Sequence, residues 1–155
     1  MTVPLPDRLD ASGLQITIVV SRFNSPITEK LLEACRETLR EHGCDDSSQR
    51  VIFVPGAFEL PLVCQTLIRK PPPPDAIVAL GAVIRGQTAH FDFLCQTVTR
   101  GLGDVALRHH VPIANGVLTT ENPEQAMARS GGVKGNRGRD AALVAIEMAN
   151  LLRDA

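Results

Sequence analysis

The sequence predicts an α/β domain in which a central parallel four-stranded sheet is layered between helices. Two observations carry this expectation. Four short runs, residues 14–20, 51–54, 75–80 and 112–118, are nearly continuous in apolar character, as parallel strands buried on both faces are. Segments with helical spacing of apolar residues separate them, and strands alternating with helices imply right-handed crossovers. At 155 residues the chain is expected to form a single domain, residues 1–155, with 1–13 as an extended N-terminal arm.

Each element has its own signal. After the first run, Ser25 is a candidate cap with Pro26 at the first helical position, and Ile27, Leu31, Leu32, Cys35 and Leu39 recur at helical spacing up to a stop near Gly43. A second helix is expected over 57–69, ended by the prolines 71–74, which lack a donor and disfavour helix before them. A third runs over 88–109, with Gly101 and Gly103 weakening its middle. Asn122, Pro123, Glu124 and Gln125 form a capping-box start for a short fourth helix. The last helix, 139–153, carries Val144, Met148, Leu151 and Leu152 on its apolar face. This order is that of a flavodoxin-like three-layer sandwich.

Composition narrows the function classes. The net charge is −1, so no overall field favours nucleic acid or an anionic membrane. No apolar run approaches the roughly 20 residues of a membrane helix, and the first dozen residues lack a signal-peptide pattern. A cytoplasmic protein is the expectation. Cys35, Cys44, Cys64 and Cys95 form no CxxC pair and have no histidine at zinc spacing; three of them read as small core residues, and no metal site is supported.

Open α/β sheets bind ligands beyond the carboxyl ends of their strands, and polar, glycine and aromatic residues gather there. Phe23, flanked by Arg22 and Asn24, is either a platform for a flat heterocycle or a plug under the following helix. Gly56, Ala57 and Phe58 precede Glu59, whose carboxylate either complements a helix N-terminus or accepts hydrogen bonds from a polyhydroxyl chain. Residues 81–88 fit GxxxxGQT after a strand and before a helix, one residue from a nucleotide-binding P-loop. Gln87 stands in place of the lysine, so a nucleotide triphosphatase is not expected; Gly86, Gln87 and Thr88 at a helix N-terminus suit a single phosphate. His90, two residues into that helix, is placed to move protons near neutral pH, whereas His42, His109 and His110 read as surface or capping residues. The glycine-rich stretch from Arg129 to Arg139 is either a solvated loop or an arginine clamp for phosphate, with Arg129 best placed.

The stretches RFNSPITEKLLE, VPGAFELP, ALGAVIRGQTAHFDFLC, IANGVLTTENPEQAMAR and AIEMANL together resemble the lumazine synthases, in family order and spacing, from about residue 14 to the end. The resemblance implies a cofactor-free, metal-free condensation of 5-amino-6-ribitylamino-2,4-pyrimidinedione with 3,4-dihydroxy-2-butanone 4-phosphate to 6,7-dimethyl-8-ribityllumazine, the penultimate step of riboflavin biosynthesis. By position, Phe23 stacks on the pyrimidine. Gly56, Ala57, Phe58 and Glu59 hold the ribityl chain and ring edge, and Ala82, Val83 and Ile84 bind the ring. Gly86, Gln87, Thr88 and Arg129 grip the phosphate, and His90 moves protons. Asn115 stands where many members carry an aromatic residue that reaches the neighbouring subunit's site, and Arg137 where lysine is usual, with Lys134 nearby. The family assembles as homopentamers, some closed into sixty-subunit icosahedral shells. The short 131–138 loop favours the shell, and an association with riboflavin synthase is a further expectation. Two other readings share the fold class: a flavodoxin-like flavin carrier, disfavoured by the absence of Trp and Tyr and the weak net charge, and a non-catalytic shell-forming paralogue.

Overall fold

The computed structural model describes residues 2 and 9–155. Its central sheet is built from β1 (Ile16–Ser21), β2 (Gln49–Val54), β3 (Ala76–Ile84) and β4 (Ile113–Thr120), all parallel, in the order β2-β1-β3-β4. The helices are α1 (Ser25–Glu41), α2 (Leu60–Arg69), α3 (His90–His109), α4 (Pro123–Ala128) and α5 (Arg137–Asp154). A two-stranded ribbon, β5 (Ser130–Gly132) and β6 (Gly135–Asn136), leads into α5. The three-layer α/β architecture is the one the strand–helix alternation predicts.

Strand alternation divides the interior in two. Ile16, Ile18 and Val20 of β1 and Ala76, Val78, Leu80 and Ala82 of β3 join α1 and α5 in one core. Val19, with Ile77, Ala79 and Val83, joins α2 and α3 in the other. Both central strands are therefore buried on both faces, which explains their unbroken apolar runs. The expected N-terminal arm lies for the most part outside the described residues. Residues 9–13 run against the body: Ala11 N–H donates to His42 O at 2.7 Å, and Asn150 Nδ2 donates to Asp10 O at 2.8 Å.

Several local expectations are corrected. Asn24, not Ser25, is the N-cap of α1; it adopts the left-handed region (φ 63°), and its side chain donates to Ala82 O at 2.8 Å instead of capping the helix. Residues 57–59 form a single 3₁₀ turn before α2. Residues 81–84, read as the start of a P-loop-like turn, continue β3, because β4 keeps pairing with it as far as Ile84 opposite Thr120. The helix after them begins at His90 rather than Thr88. At α4 Asn122 caps as expected, accepting from Gln125 N–H at 2.8 Å, but the Gln125 side chain returns to Glu121 N–H rather than to Asn122.

The apolar face assigned to α5 is also corrected. Val144, Leu151 and Leu152 are exposed, and the helix buries Gly138, Ala141, Ala142, Ala145, Ile146 and Ala149. Small residues line the inner face because α5 lies close against α1, with Gly138 set on the Leu31 backbone. Gly101 acts in the same way between α2 and α3: a Cβ there would meet Pro61 at 2.8 Å, so this glycine permits helix contact as well as weakening the helix.

All four cysteines are free, and three are fully buried. Burial pushes the Cys35 and Cys64 thiols up to about 12, so little thiolate exists at neutral pH. Thiol labelling of the native protein is therefore expected to modify Cys95 first, with Cys35 and Cys64 reacting only after denaturation. Rapid labelling of Cys35 in the native state would contradict the packing described.

Candidate active site

The carboxyl ends of β1, β2 and β3 open onto a cavity of about 460 Å³, a volume suited to a small-molecule ligand. Phe23 and Asn24 follow β1, residues 56–59 follow β2, and Ala82, Val83 and Ile84 form the end of β3. Gly86, Thr88, His90, Phe91 and Leu94 close the remaining side. Phe23 is held at the strand end by its N–H, which donates to Pro55 O at 3.1 Å, while the residue is 72% exposed. Phe58 is 62% exposed on the same cavity. The plug reading of Phe23 is thus excluded: the ring is an open apolar surface, as a stacking platform requires.

Glu59 serves the local backbone, its Oε2 accepting from Gly56 N–H at 3.0 Å across the 3₁₀ turn. Its capping role and its place on the cavity wall are therefore compatible. His90 is the first residue of α3, exposed, with no hydrogen bond from its imidazole to another described residue. His42 and His109 are engaged elsewhere, with Thr38 O and Gln65 Oε1. Among the described residues no group of three or more His, Cys, Asp or Glu is gathered to hold a metal ion, and no helix is long and apolar enough to cross a membrane.

Four of the candidate residues lie off the cavity. Gln87 is exposed between Gly86 and Thr88. Asn115 is exposed on β4, and its side chain accepts from Val117 N–H at 3.0 Å within its own strand. Arg129 follows α4 and donates through Nη1 to Gln125 O at 3.1 Å; it has no carboxylate partner among the described residues. Arg137 begins α5, is exposed, and ties back to Arg129 through its N–H, which donates to Arg129 O at 2.8 Å. Arg129 and Arg137 are thus joined by a backbone hydrogen bond across the β5–β6 ribbon, and neither lines the cavity of its own chain.

A model of the 6,7-dimethyl-8-ribityllumazine synthase family matches residues 13–153. The chain belongs to this family. Membership carries the family's general activity, lumazine synthesis in riboflavin biosynthesis.

In this family member the structure also shows wall residues that the sequence reading did not single out. Asn24, Phe91 and Leu94 line the cavity. Phe91 and Leu94 were legible as the positions next to His90 and one helical turn beyond it. Asn24 was legible only as the neighbour of Phe23, because its left-handed backbone and its bond to Ala82 are tertiary facts. Arg85, between the wall residues Ile84 and Gly86, is engaged by two carboxylates, Asp92 at 2.9 Å and Glu121 at 2.6 Å. Hydrogen bonds from Arg85 hold the Asp92 carboxyl below the usual aspartate range. The contact therefore persists as pH falls and is lost only below that range.

Proposed function

We propose that this protein condenses 5-amino-6-ribitylamino-2,4-pyrimidinedione with 3,4-dihydroxy-2-butanone 4-phosphate to 6,7-dimethyl-8-ribityllumazine, releasing inorganic phosphate and water. The observation that carries the reading is the cavity itself: two open phenyl rings, a strand end and a histidine at a helix N-terminus share one apolar-walled space, within a chain matched to the family over 13–153. Phe23 stacks on the pyrimidine, with the residue 82–84 strand end against its edge. Gly56, Ala57, Phe58 and Glu59 take the ribityl chain. Thr88, with Gly86 and Gln87, receives the phosphate near the first N–H groups of α3, where the helix dipole favours an anion.

The partners are reactive already, so holding them together is the main contribution, and oriented proximity supplies up to roughly 7–11 kcal/mol. His90 moves the protons of imine formation and phosphate loss. His90→Ala is expected to lower turnover on the order of tenfold, since proximity is retained. Near-complete inactivity would show that proton transfer carries more of the rate.

The working unit in this proposal is a homopentamer, with Arg129, Arg137 and Asn115 reaching the cavity of an adjacent copy. Their position off their own cavity supports this, as do the exposed apolar side chains Leu62, Phe93, Leu107 and Val144. The decisive assay is lumazine absorbance after mixing both substrates with the purified protein, against a substrate-only control. A rate equal to the spontaneous background, with ligand bound, would replace this reading with a non-catalytic one.

A further inference from the structure

Arg85 is the first residue beyond β3, and its N–H donates to Thr120 O at 2.9 Å, extending the contact with β4 by one residue. Its side chain then turns to the start of α3. Nη2 and Nη1 donate to the two Asp92 carboxylate oxygens at 2.9 and 3.3 Å, and Nε donates to Glu121 at 2.6 Å. The guanidinium carbon lies 4.4 Å from the centroid of the Phe91 ring. Asp92 is in the first turn of α3, and Glu121 directly follows β4. One planar group thus joins the ends of β3 and β4 to the start of α3. Residues 85–90, which this contact brackets, are all exposed, so packing does little to fix their course. Gly86, Thr88 and His90 of the cavity wall are among them.

We infer that Arg85 is a positioning residue for the reaction: by joining the end of β3 to the first turn of α3, it sets the course of the loop that carries Thr88 and His90 to the cavity. Direct phosphate binding by Arg85 is disfavoured, because both flanks of its fork are taken by carboxylates. Exposed ion pairs add little to global stability, so the contribution is local. The inference rests on the function proposed above.

The test is Arg85→Met, Arg85→Lys, Asp92→Asn and the Arg85→Met/Asp92→Asn double variant. Kinetics, thermal melting and amide hydrogen exchange are followed in parallel. In Arg85→Met and Asp92→Asn, kcat is expected to fall about tenfold, because small displacements of a reacting group are costly. The pyrimidine KM and the melting temperature should stay nearly unchanged. The double variant should be no worse than either single one, since both break the same contact. Arg85→Lys should rescue little, as an ammonium cannot reproduce the fork. Amides of residues 86–92 should exchange about tenfold faster in Arg85→Met, with the later turns of α3 unaffected. Wild-type kcat in Asp92→Asn, additive losses, full rescue by lysine, or unchanged exchange would each overturn the inference. A wild-type protein that makes no lumazine would instead overturn the proposed function, and the exchange measurement would still decide whether Arg85 holds the loop.

Discussion

Gly138→Ala is expected to destabilise the protein by about 3 kcal/mol, the upper part of the range for overpacking. The α-carbon of Gly138 faces the α1 backbone. A Cβ built there falls 2.7 Å from the carbonyl carbon and 2.9 Å from the α-carbon of Leu31, and closer still to its oxygen. Backbone cannot swing aside as a side chain can, so α5 must lift from α1 along a face made otherwise of four alanines and Ile146. Gly138 lies in the first turn of α5, where Asn136 accepts from its N–H at 2.8 Å, so the displacement also disturbs the cap. Urea and thermal unfolding at fixed protein concentration provide the check, with a fall in melting temperature of about 6–12 °C expected. Gly103→Ala is the control: it is exposed in α3 with nothing within 4 Å of a Cβ, and helix propensity predicts a gain of about 0.5–1 kcal/mol. Equal effects at the two positions would show that the α1–α5 contact is looser than described.

Arg129→Ala is expected to raise the KM for the sugar phosphate by about 10–100-fold, the equivalent of losing one or two charge-assisted hydrogen bonds. The KM for the pyrimidine should change little. The reason lies in the distribution of cations. The cavity wall contains no lysine or arginine, and Arg85, between the wall residues Ile84 and Gly86, is neutralised by Asp92 and Glu121. A phosphate there needs a cation from elsewhere. Arg129 has no carboxylate partner among the described residues, and the rigid start of α5 is linked to it through the Arg137 N–H. Steady-state kinetics with each substrate varied in turn provide the check. Equal weakening of both substrates would mean that Arg129 shapes the site rather than binding phosphate.

Much of the cavity wall was legible in the sequence because it follows the strand ends. Phe23, residues 56–59, Gly86, Thr88 and His90 were picked out as chemistry-bearing positions after apolar runs, and residues 82–84 through the resemblance; parallel strands deliver such positions to one edge. The errors arose where a local pattern met a tertiary contact. Residues 81–84 resembled a loop motif, yet pairing with β4 draws them into the sheet. The larger apolar residues of α5 suggested its inner face, yet close approach to α1 selects the small ones and leaves Val144, Leu151 and Leu152 outside. The Arg85 contact was not legible at all, because Asp92 and Glu121 come from separate elements and meet only in the folded chain.

The layer order, the parallel sheet and the edge at which the cavity opens are all written in the pattern of residues along the chain. These follow from the alternation of apolar periods and from chain chirality, which act locally or along a single crossover. Which face of each helix turns inward, where β3 ends, and which candidate residues share a cavity emerge only when the elements pack together. Those choices depend on distances between elements, as Gly138 against Leu31 and Ile84 opposite Thr120 show, and no period in one segment encodes the approach of another.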